Sequence, residues 1–333
     1  MIFLIEPSNH SVIDTHTDIQ NKFINTIQKQ GIAAALEWIL PMKNGDELSH
    51  PVPVRFSWTA EGTIPYVFEI SESKDFYNSF TAQTNEPFLV WDNFKLGQTY
   101  YWRVNQGDYY TFETVNNGFR FIKLDGVFNV RDLGGINIKQ GLLYRGSEIN
   151  KEYEITEIGK RVWKEQLNIK TEINLRKESQ LDDKVCCVGD DIHYRYLPYR
   201  PYIEIFEEEH RREIVDIMEC LADENNYPIY FHCLAGGDRT GMIALFLRGL
   251  LGESDEDILT DYELTSLSSY AYQLTDGEGA LGFRSRFSEG FQEFLSVFNT
   301  YKGETVGEHT EAFLLECGVP PETIAKIRNN LKK

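Results

Sequence analysis

A cysteine and an arginine six positions apart, Cys233 and Arg239, are the residues of this sequence best suited to chemistry on an anion. They stand in the segment YFHCLAGGDRTGMIALFL, residues 230–247, with Gly236 and Gly237 between them. A cysteine thiolate is a strong nucleophile, and the planar guanidinium of an arginine binds two oxygens of a phosphate group. The pair therefore predicts nucleophilic attack on phosphorus, with Cys233 as the nucleophile and Arg239 as the phosphate ligand.

The elements on either side of this pair indicate how the phosphate would be held. Residues 227–232 are predicted to form a buried strand, residues 233–239 a loop and residues 240–251 a helix. Open α/β sheets bind ligands at such strand-to-helix loops, where backbone N–H groups and the helix dipole attract an anion. We expect the loop backbone to form the phosphate site. Its predicted residues are Leu234, Ala235, Gly236, Gly237, Asp238 and Arg239.

Three further side chains complete the predicted reaction. Asp238 would protonate the leaving oxygen and afterwards activate water. Thr240 would hydrogen-bond the sulfur as it leaves phosphorus, and His232 would tune the thiolate by hydrogen bonding. The predicted reaction passes through a phosphocysteine intermediate, which is hydrolysed in a second step.

The composition of the chain limits the classes of partner that it can bind. With 33 Lys and Arg against 52 Asp and Glu, the formal net charge is −19, which argues against nucleic acid or an anionic membrane as a partner. No apolar run approaches the roughly 20 residues needed to span a bilayer, and the N-terminus lacks the basic region of a signal peptide. We therefore expect a cytoplasmic protein, with a secreted form whose leader has been removed as the alternative. The five cysteines are scattered, which argues against a disulfide framework or a zinc site. We expect no metal and no cofactor.

The chain is predicted to consist of two domains, residues 1–116 and 117–333. Residues 51–115 contain short aromatic-rich strands separated by turns, which is typical of an all-β sandwich. A helical segment near residues 15–40, interrupted at Gly31, is added to it. The second domain alternates strands with helices, which predicts an α/β fold with a parallel sheet flanked by helices. The first domain is expected to bind a protein partner or to pack on the second.

The segment HCLAGGDRTG resembles the active-site loop of the cysteine-dependent protein tyrosine phosphatases. FNVRDLGG (128–135) and GLLYRGSEI (141–149) resemble one branch of that superfamily, the bacterial tyrosine phosphatase-like and dual-specificity phosphatases, some of which act on phosphoinositides. The resemblance extends over about two thirds of the chain. It implies a cysteine-phosphatase sheet, with Cys233 as nucleophile, Arg239 as phosphate ligand and Asp238 as general acid. Residues 51–115 resemble fibronectin type III or immunoglobulin-like modules.

Two features depart from this resemblance. Many members carry the general acid on a separate loop before the cysteine, but the corresponding stretch here, YRYLPYRPYIEIF, contains no aspartate. The acid is therefore Asp238, which we favour, or a carboxylate such as Glu204. Gly237 stands where lipid-active relatives usually have a lysine, which weakens the phosphoinositide alternative.

Several other residues are candidates for supporting roles. Three charged residues of the branch signature are expected to buttress the loop through buried ion pairs and hydrogen bonds, and they are Arg131, Asp132 and Arg145. Three arginines are considered for the mouth of the pocket, although such residues usually lie on the solvated surface, and they are Arg200, Arg284 and Arg286. Tyr199 and Tyr202 are available as aromatic walls, and Cys186 and Cys187 are expected to be inert rather than to act as resolving thiols.

The sequence favours a phosphomonoester hydrolase that acts on a phosphorylated protein or a small phosphoester. Phosphotyrosine, phosphoserine and phosphoinositides or inositol phosphates all remain open as substrates. Two other functions compete with this prediction. The first is a catalytically silent phosphate-binding module, and the second is a rhodanese-like sulfur transferase, which the GGDRTG ending disfavours.

Overall fold

The computed structural model of the chain describes residues 2–42, 46–151, 154–181, 184–269 and 289–333. The chain forms two compact units, of which the first comprises Met1–Thr17 and Pro51–Lys123 and the second Asp18–His50 and Leu124–Lys333. These units differ from the predicted division in two respects. The helical segment belongs to the second unit, and the first unit extends to residue 123 rather than 116.

The first unit contains two β-sheets. Its strands are β1 (Leu4–Glu6), β2 (Ser11–Ile13), β3 (Val54–Trp58), β4 (Tyr66–Ser71), β5 (Phe80–Thr84), β6 (Phe88–Trp91), β7 (Thr99–Val104), β8 (Tyr109–Thr114) and β9 (Phe119–Phe121). One sheet has the order β1-β3-β6 and the other the order β2-β8-β7-β4-β5. Aromatic side chains from both sheets share one core. The ring of Phe56 lies 4.9 Å from that of Phe68 and 5.2 Å from that of Trp102.

The second unit combines a sheet with helices. Its elements are α1 (Asp18–Gln30), α2 (Ile32–Met42), β10 (Arg131–Gly135), β11 (Leu143–Gly146), α3 (Glu157–Arg161), β12 (Thr171–Asn174), β13 (His193–Tyr196), α4 (Arg211–Ala222), β14 (Ile229–His232), α5 (Asp238–Leu250), α6 (Asp255–Glu263), α7 (Glu289–Phe298), α8 (Val306–Glu316) and α9 (Pro321–Leu331). Five strands lie side by side in the order β13-β12-β14-β11-β10. Strands β11 to β14 are parallel, and β10 is antiparallel to β11. The predicted α/β class is thus confirmed.

Strand β14 and helix α5 form the centre of this unit. All four residues of β14 are buried, and in α5 all residues from Arg239 to Leu250 are buried. A helix that is apolar on most of its faces is stable only inside a core, and α5 contacts α6 and α8. Within the described ranges, no helix has both the length and the apolar composition to cross a bilayer.

The helical hairpin of α1 and α2 packs within the second unit. Gly31 separates the two helices with a φ of +87°, as the predicted interruption requires. The contacts that fix the segment after α2 include a bond from Leu48 N to Leu267 O at 2.9 Å and one from Ser269 N to the Glu47 carboxylate at 3.0 Å. These contacts explain why the hairpin belongs to the second unit rather than to the β-sheets that flank it in sequence.

Candidate active site

The loop that follows β14 ends earlier than the sequence predicts. Helix α5 begins at Asp238, two residues before the predicted start at residue 240, with Gly237 as its N-cap. Gly241 N donates to Gly237 O at 2.7 Å, which closes the first helical turn. Asp238, Arg239 and Thr240 therefore lie on the first turn of a helix, where unpaired backbone N–H groups and the helix dipole favour an anion.

Gly236 is the position in this loop that requires glycine. Its φ is +70°, in the left-handed region, and a Cβ built on it would lie 2.4 Å from the carbonyl oxygen of Gly146. Any side chain would therefore collide with the end of β11 as well as strain the backbone. The close approach lets Arg145 Nη2 donate to Gly236 O at 2.7 Å.

The carbonyl groups of the loop are bound by residues outside it. Leu234 O accepts from Glu148 N at 2.9 Å, and Ala235 O accepts from Asn129 Nδ2 at 3.0 Å. With the bond from Arg145 to Gly236, three successive carbonyls are turned toward the surrounding elements. Such an arrangement directs backbone N–H groups toward the inner side of a loop, where they can converge on an anion.

A buried ion-pair cluster anchors Arg145 in turn. Asp261 on α6 accepts from Arg145 Nη1 at 2.5 Å and from Arg131 Nε at 2.9 Å. Arg248 Nη2 lies 3.4 Å from the same carboxylate. Burial alone would raise the pKa of Asp261, but Arg131, Arg248 and Arg145 hold it well below its usual range. Burial, followed by repulsion from Arg145, lowers the pKa of Arg131 to about 10.

Arg131 and Asp132 support the loop in different ways. Arg131 Nη1 donates to Asn129 Oδ1 at 2.5 Å, and thus orients the amide that holds Ala235. The carboxylate of Asp132 accepts from Gly134 N and Gly141 N at 2.8 and 2.6 Å. Asp132 therefore fixes the turn between β10 and β11, whereas Arg145 bonds the loop directly and Arg131 acts on it through Asn129.

Cys233 and His232 lie at the buried base of the loop. The Cys233 side chain is 2% exposed and that of His232 is fully buried. His232 Nδ1 lies 3.0 Å from Cys233 O, and Nε2 lies 2.9 Å from Glu172 Oε1 on β12. These two contacts fix the His232 ring from both sides, between the backbone of Cys233 and the carboxylate of Glu172.

Arg239 and Thr240 are both buried on the first turn of α5. Arg239 Nη1 donates to Leu175 O at 3.1 Å, and the backbone oxygen of Arg239 accepts from the Tyr199 hydroxyl. Thr240 Oγ1 is buried without a hydrogen-bond partner among the described residues, so the predicted bond to the Cys233 sulfur is not formed in this structure. Tyr199 is buried and packs under the loop, which does not support the idea that it is an aromatic wall.

Asp238, unlike Arg239, is only half-buried and is contacted by a tyrosine from another segment. The Tyr202 hydroxyl donates to Asp238 Oδ1, and the Tyr262 hydroxyl oxygen lies 3.0 Å from that of Tyr202. The loop thus brings a thiol, a guanidinium and a carboxyl group to the N-terminus of one helix. This set can bind a phosphate, attack it and protonate a leaving group.

Residues 122–333 match the tyrosine phosphatase family. The chain belongs to this family. The match covers nearly two thirds of the sequence, and it confirms that the protein is a phosphoric monoester hydrolase.

Two solved structures are similar to part of this phosphatase. The first is the core catalytic domain of PP-IP phosphatase SIW14 from S. cerevisiae in complex with citrate, at 16% identity, with 49% of this chain and 93% of that chain covered and a TM-score of 0.30. The second is the Siw14 catalytic core, at 16% identity, with 49% and 92% covered and a TM-score of 0.27. No curated protein is significantly similar to this chain.

Arg200, Cys186 and Cys187 are the other candidate residues that the structure describes. Arg200 Nη1 pairs with Glu204 Oε1 at 3.3 Å, and both side chains are partly exposed. Arg284 and Arg286 lie outside the described residues. Burial raises the pKa of Cys187 to about 11 and also raises that of Cys186, so both remain protonated at neutral pH. This agrees with their expected inertness.

A group of side chains with the types and spacing of a metal site lies elsewhere in the described part of the phosphatase. Glu207, Glu209 and His210 bring their ligand atoms within 4.8 Å of one another. The two glutamates are exposed, and such acidic groups are common on surfaces without an ion. The absence of a metal from the mechanism therefore stays a prediction.

Sequence reasoning missed several residues that hold this site. Asp261, Glu172 and Tyr262 carry no motif of their own, and Asn129 stands in FNVRDLGG without having been singled out there. Glu172 did offer a signal, because a carboxylate within the otherwise buried strand β12 needs a partner. Asn129 offered a second signal, because it lies within FNVRDLGG, whereas Asp261 and Tyr262 offered none, since their partners lie on distant elements.

Proposed function

We propose that this phosphatase hydrolyses phosphotyrosine in proteins, either alone or together with phosphoserine and phosphothreonine. The observation that carries the proposal is the loop from Cys233 to Arg239. Its carbonyls are bound from outside, and it joins the buried strand β14 to the N-terminus of α5. The loop N–H groups and the helix dipole stabilise both the thiolate of Cys233 and the phosphate of the substrate.

In the first step the Cys233 thiolate attacks phosphorus. A sulfur–phosphorus bond forms as the bond between phosphorus and the leaving oxygen breaks, and Asp238 gives its proton to that oxygen. Arg239, oriented through its bond to Leu175 O, binds two of the equatorial phosphate oxygens with its planar fork. The products of this step are a free alcohol or phenol and phosphocysteine.

In the second step water hydrolyses the phosphocysteine. Asp238, now ionised, accepts a proton from the water as its oxygen attacks phosphorus, and the sulfur–phosphorus bond breaks. Inorganic phosphate leaves and the Cys233 thiolate is restored. The unpartnered hydroxyl of Thr240 is available to donate to the departing sulfur, which is the role we propose for it.

The charge at the loop favours a substrate with a single phosphate. A molecule with several clustered phosphates needs several cationic ligands. Before Arg239, the described loop carries Gly237, which has no charge, and Asp238, which is negative when ionised. Arg145 is committed to Asp261. Phosphoinositides and inositol phosphates are therefore the alternative substrates and phosphotyrosine the favoured one.

The test compares initial rates on a phosphotyrosine peptide, a phosphoserine peptide and a panel of phosphoinositides and inositol phosphates, with a chelator present. We expect turnover of the phosphotyrosine peptide by the wild-type protein. Cys233→Ser should lower kcat by at least about 10⁴-fold, because it removes the nucleophile. Asp238→Asn should lower it by about 10² to 10⁴-fold, because it removes the general acid.

Cys220→Ser is the matched control, because Cys220 is a half-buried thiol on α4. It should retain full activity. Activity that survives in Cys233→Ser would refute the mechanism. Faster turnover of inositol phosphates than of phosphopeptides would show that inositol phosphates, rather than phosphoproteins, are the substrates. No turnover by the reduced wild-type protein, together with binding of phosphate, would instead support a silent phosphate-binding module.

We also propose that the first unit is a β-sandwich of the fibronectin type III or immunoglobulin-like kind. Its two sheets and their shared aromatic core around Phe56 and Trp102 support this assignment. A crystal structure of the full chain tests it, and two sheets packed face to face with a Greek-key connection are the expected result. A closed barrel would contradict it.

A further inference from the structure

Tyr202 is fixed in an unusual conformation beside the loop. Its φ is +61°, a region that residues other than glycine rarely occupy and that is found at functional sites when other contacts enforce it. Its backbone N donates to Met242 Sδ at 3.1 Å, which ties it to α5. From this position its hydroxyl donates to Asp238 Oδ1. The strained backbone therefore delivers a hydrogen-bond donor to the carboxyl group at the start of α5.

A second tyrosine, Tyr262, contacts the hydroxyl of Tyr202. Tyr262 on α6 is 2% exposed, and its hydroxyl oxygen lies 3.0 Å from that of Tyr202. Because the proton of Tyr202 is directed to Asp238, Tyr262 is the donor in the contact between the two hydroxyls. Burial raises the pKa of Tyr262 well above its usual value, so its hydroxyl keeps its proton at neutral pH. The three groups form a directed chain from Tyr262 through Tyr202 to Asp238.

Helix α7 holds both rings in place. The Phe291 ring stacks on Tyr262 with centroids 4.3 Å apart and contacts Tyr202 edge-on at 6.4 Å. A Cβ at Gly290 would lie 3.2 Å from the Tyr202 ring, so glycine permits this close packing. Neither Gly290 nor Phe291 carries a charge that would compete for the carboxyl group.

We infer that Tyr202, supported by Tyr262, is a positioning residue that holds the carboxyl group of Asp238 toward the leaving oxygen of the substrate. This inference rests on the proposed function, because it assumes that Asp238 is the general acid. Three titratable residues near Asp238 have other positions or partners. Tyr199 donates to a backbone oxygen, Arg239 donates to Leu175 O, and Cys233 lies at the base of the loop.

The alternative acid, Glu204, has a different environment. Its carboxylate is paired with Arg200 at 3.3 Å, and both side chains are 42% exposed. No comparable pair of hydroxyls is directed at Glu204 in the described residues. The structure therefore provides a positioning device for Asp238 and an ordinary surface ion pair for Glu204.

The test uses the full chain and a series of aryl phosphates that differ in leaving-group pKa. Protonation by a general acid matters for a poor leaving group such as phenol and matters little for a good one such as dinitrophenol. Tyr202→Phe should therefore lower kcat/KM, which reports the steps up to release of the leaving group, by about tenfold or more on phenyl phosphate but by less than about twofold on dinitrophenyl phosphate. Tyr262→Phe should show the same pattern with a smaller loss on phenyl phosphate.

Tyr227→Phe is the matched control. Tyr227 is also buried, and its hydroxyl donates to Leu221 O at 2.5 Å, near the start of β14 and away from the loop. This variant should leave the dependence on the leaving group unchanged, and thermal unfolding should show that all the variants are folded. A folded Tyr202→Phe protein with equal losses on both substrates, or with no loss on either, would overturn the inference.

The two hypotheses fail in different ways. If wild type is inactive, or if Cys233→Ser retains activity, the proposed function is wrong and the inference falls with it. If wild type is active and Cys233→Ser is not, but Tyr202→Phe slows no substrate selectively, the proposed function stands and only the role of Tyr202 is wrong.

Discussion

The core of the first unit and the core beside the phosphatase loop are built from different kinds of residues. Around Phe56 the first unit buries stacked aromatic rings, among them Phe68 and Trp102. Beside the loop the second unit buries four arginines that are at most 1% exposed. They are Arg131, Arg145, Arg176 and Arg248. One core is held together mainly by apolar contact, and the other holds fully buried charges.

The two cores differ in how strictly their contacts fix one geometry. Apolar contact is favourable in many arrangements of similar volume, whereas a buried charge needs a partner at a defined distance and angle. Burying charges is therefore an expensive way to stabilise a fold and an effective way to fix one geometry. In the second unit that geometry is the loop, because Arg145 bonds Gly236 O while Asp261 binds Arg145. The comparison predicts that damage to the two cores has different consequences.

The largest effect is expected from Asp261→Asn. It leaves three buried arginines without their shared carboxylate, so we expect a loss of about 3–5 kcal/mol in unfolding free energy. Activity should also fall in the fraction that remains folded, because Arg145 would no longer be fixed against the loop. Denaturant unfolding and kcat at a temperature where the variant is folded are the measurements. Full activity in a folded variant would contradict the comparison.

Phe56→Ala should be about as destabilising but should not alter the chemistry. The side chain is fully buried, and truncating such a ring costs about 3–5 kcal/mol through lost burial and a new cavity. Phe56 is not among the candidate catalytic residues, so the folded protein should keep its kcat. Thermal unfolding followed by tryptophan fluorescence, alongside activity below the transition, tests this. A drop in kcat equal to that of Asp261→Asn would remove the distinction between the two cores.

A smaller effect on stability is expected from Gly236→Ala, with Gly252→Ala as its control. Both glycines have positive φ values, +70° and +77°, but a Cβ at Gly236 meets Gly146 O whereas a Cβ at Gly252 has nothing within 4 Å. Gly252→Ala should therefore cost about 1 kcal/mol through backbone strain and keep its activity. Gly236→Ala should cost more and lose most of its activity, since the loop must move away from β11. Equal behaviour of the two variants would show that the close approach is unimportant.

The smallest effect concerns acid stability. Arg131, Arg248 and Arg145 overcome the effect of burial and hold the pKa of Asp261 below its usual range, so its contribution is fully present above about pH 4 and is lost as the pH falls toward the folded-state pKa. Asp261→Asn should flatten the decline of unfolding free energy below about pH 4. Asp75→Asn is the control from the first unit. The pKa of Asp75 is also lowered, by hydrogen bonds from Ser73 and Tyr77. Because this carboxylate is exposed, Asp75→Asn should change the acid slope less than Asp261→Asn does. An unchanged acid slope in Asp261→Asn would contradict the prediction.

Some of the fold could be predicted because local pattern and tertiary environment agree. The runs TEINLRK and YPIYFH contain β12 and β14, and the apolar run after Gly241 forms most of α5. Strands β1 and β2, each three residues long, are too short to show a period, and β5 (FTAQT) is mostly polar. These strands depend on pairing with neighbours for their stability, and pairing partners cannot be read from a short stretch.

The sequence by itself determined which chemical groups the candidate site contains. Cys233, Asp238 and Arg239 are close along the chain, and their order relative to a strand and a helix follows from local periodicity. Only the tertiary structure decided what holds them. Tyr202 reaches Asp238 across 36 residues, and Asp261 reaches Arg131 across 130. It also decided that residues 18–50 join the second unit. The physical reason is that a hydrogen bond or a buried ion pair depends on distance in space, and sequence separation does not limit that distance once the chain has folded.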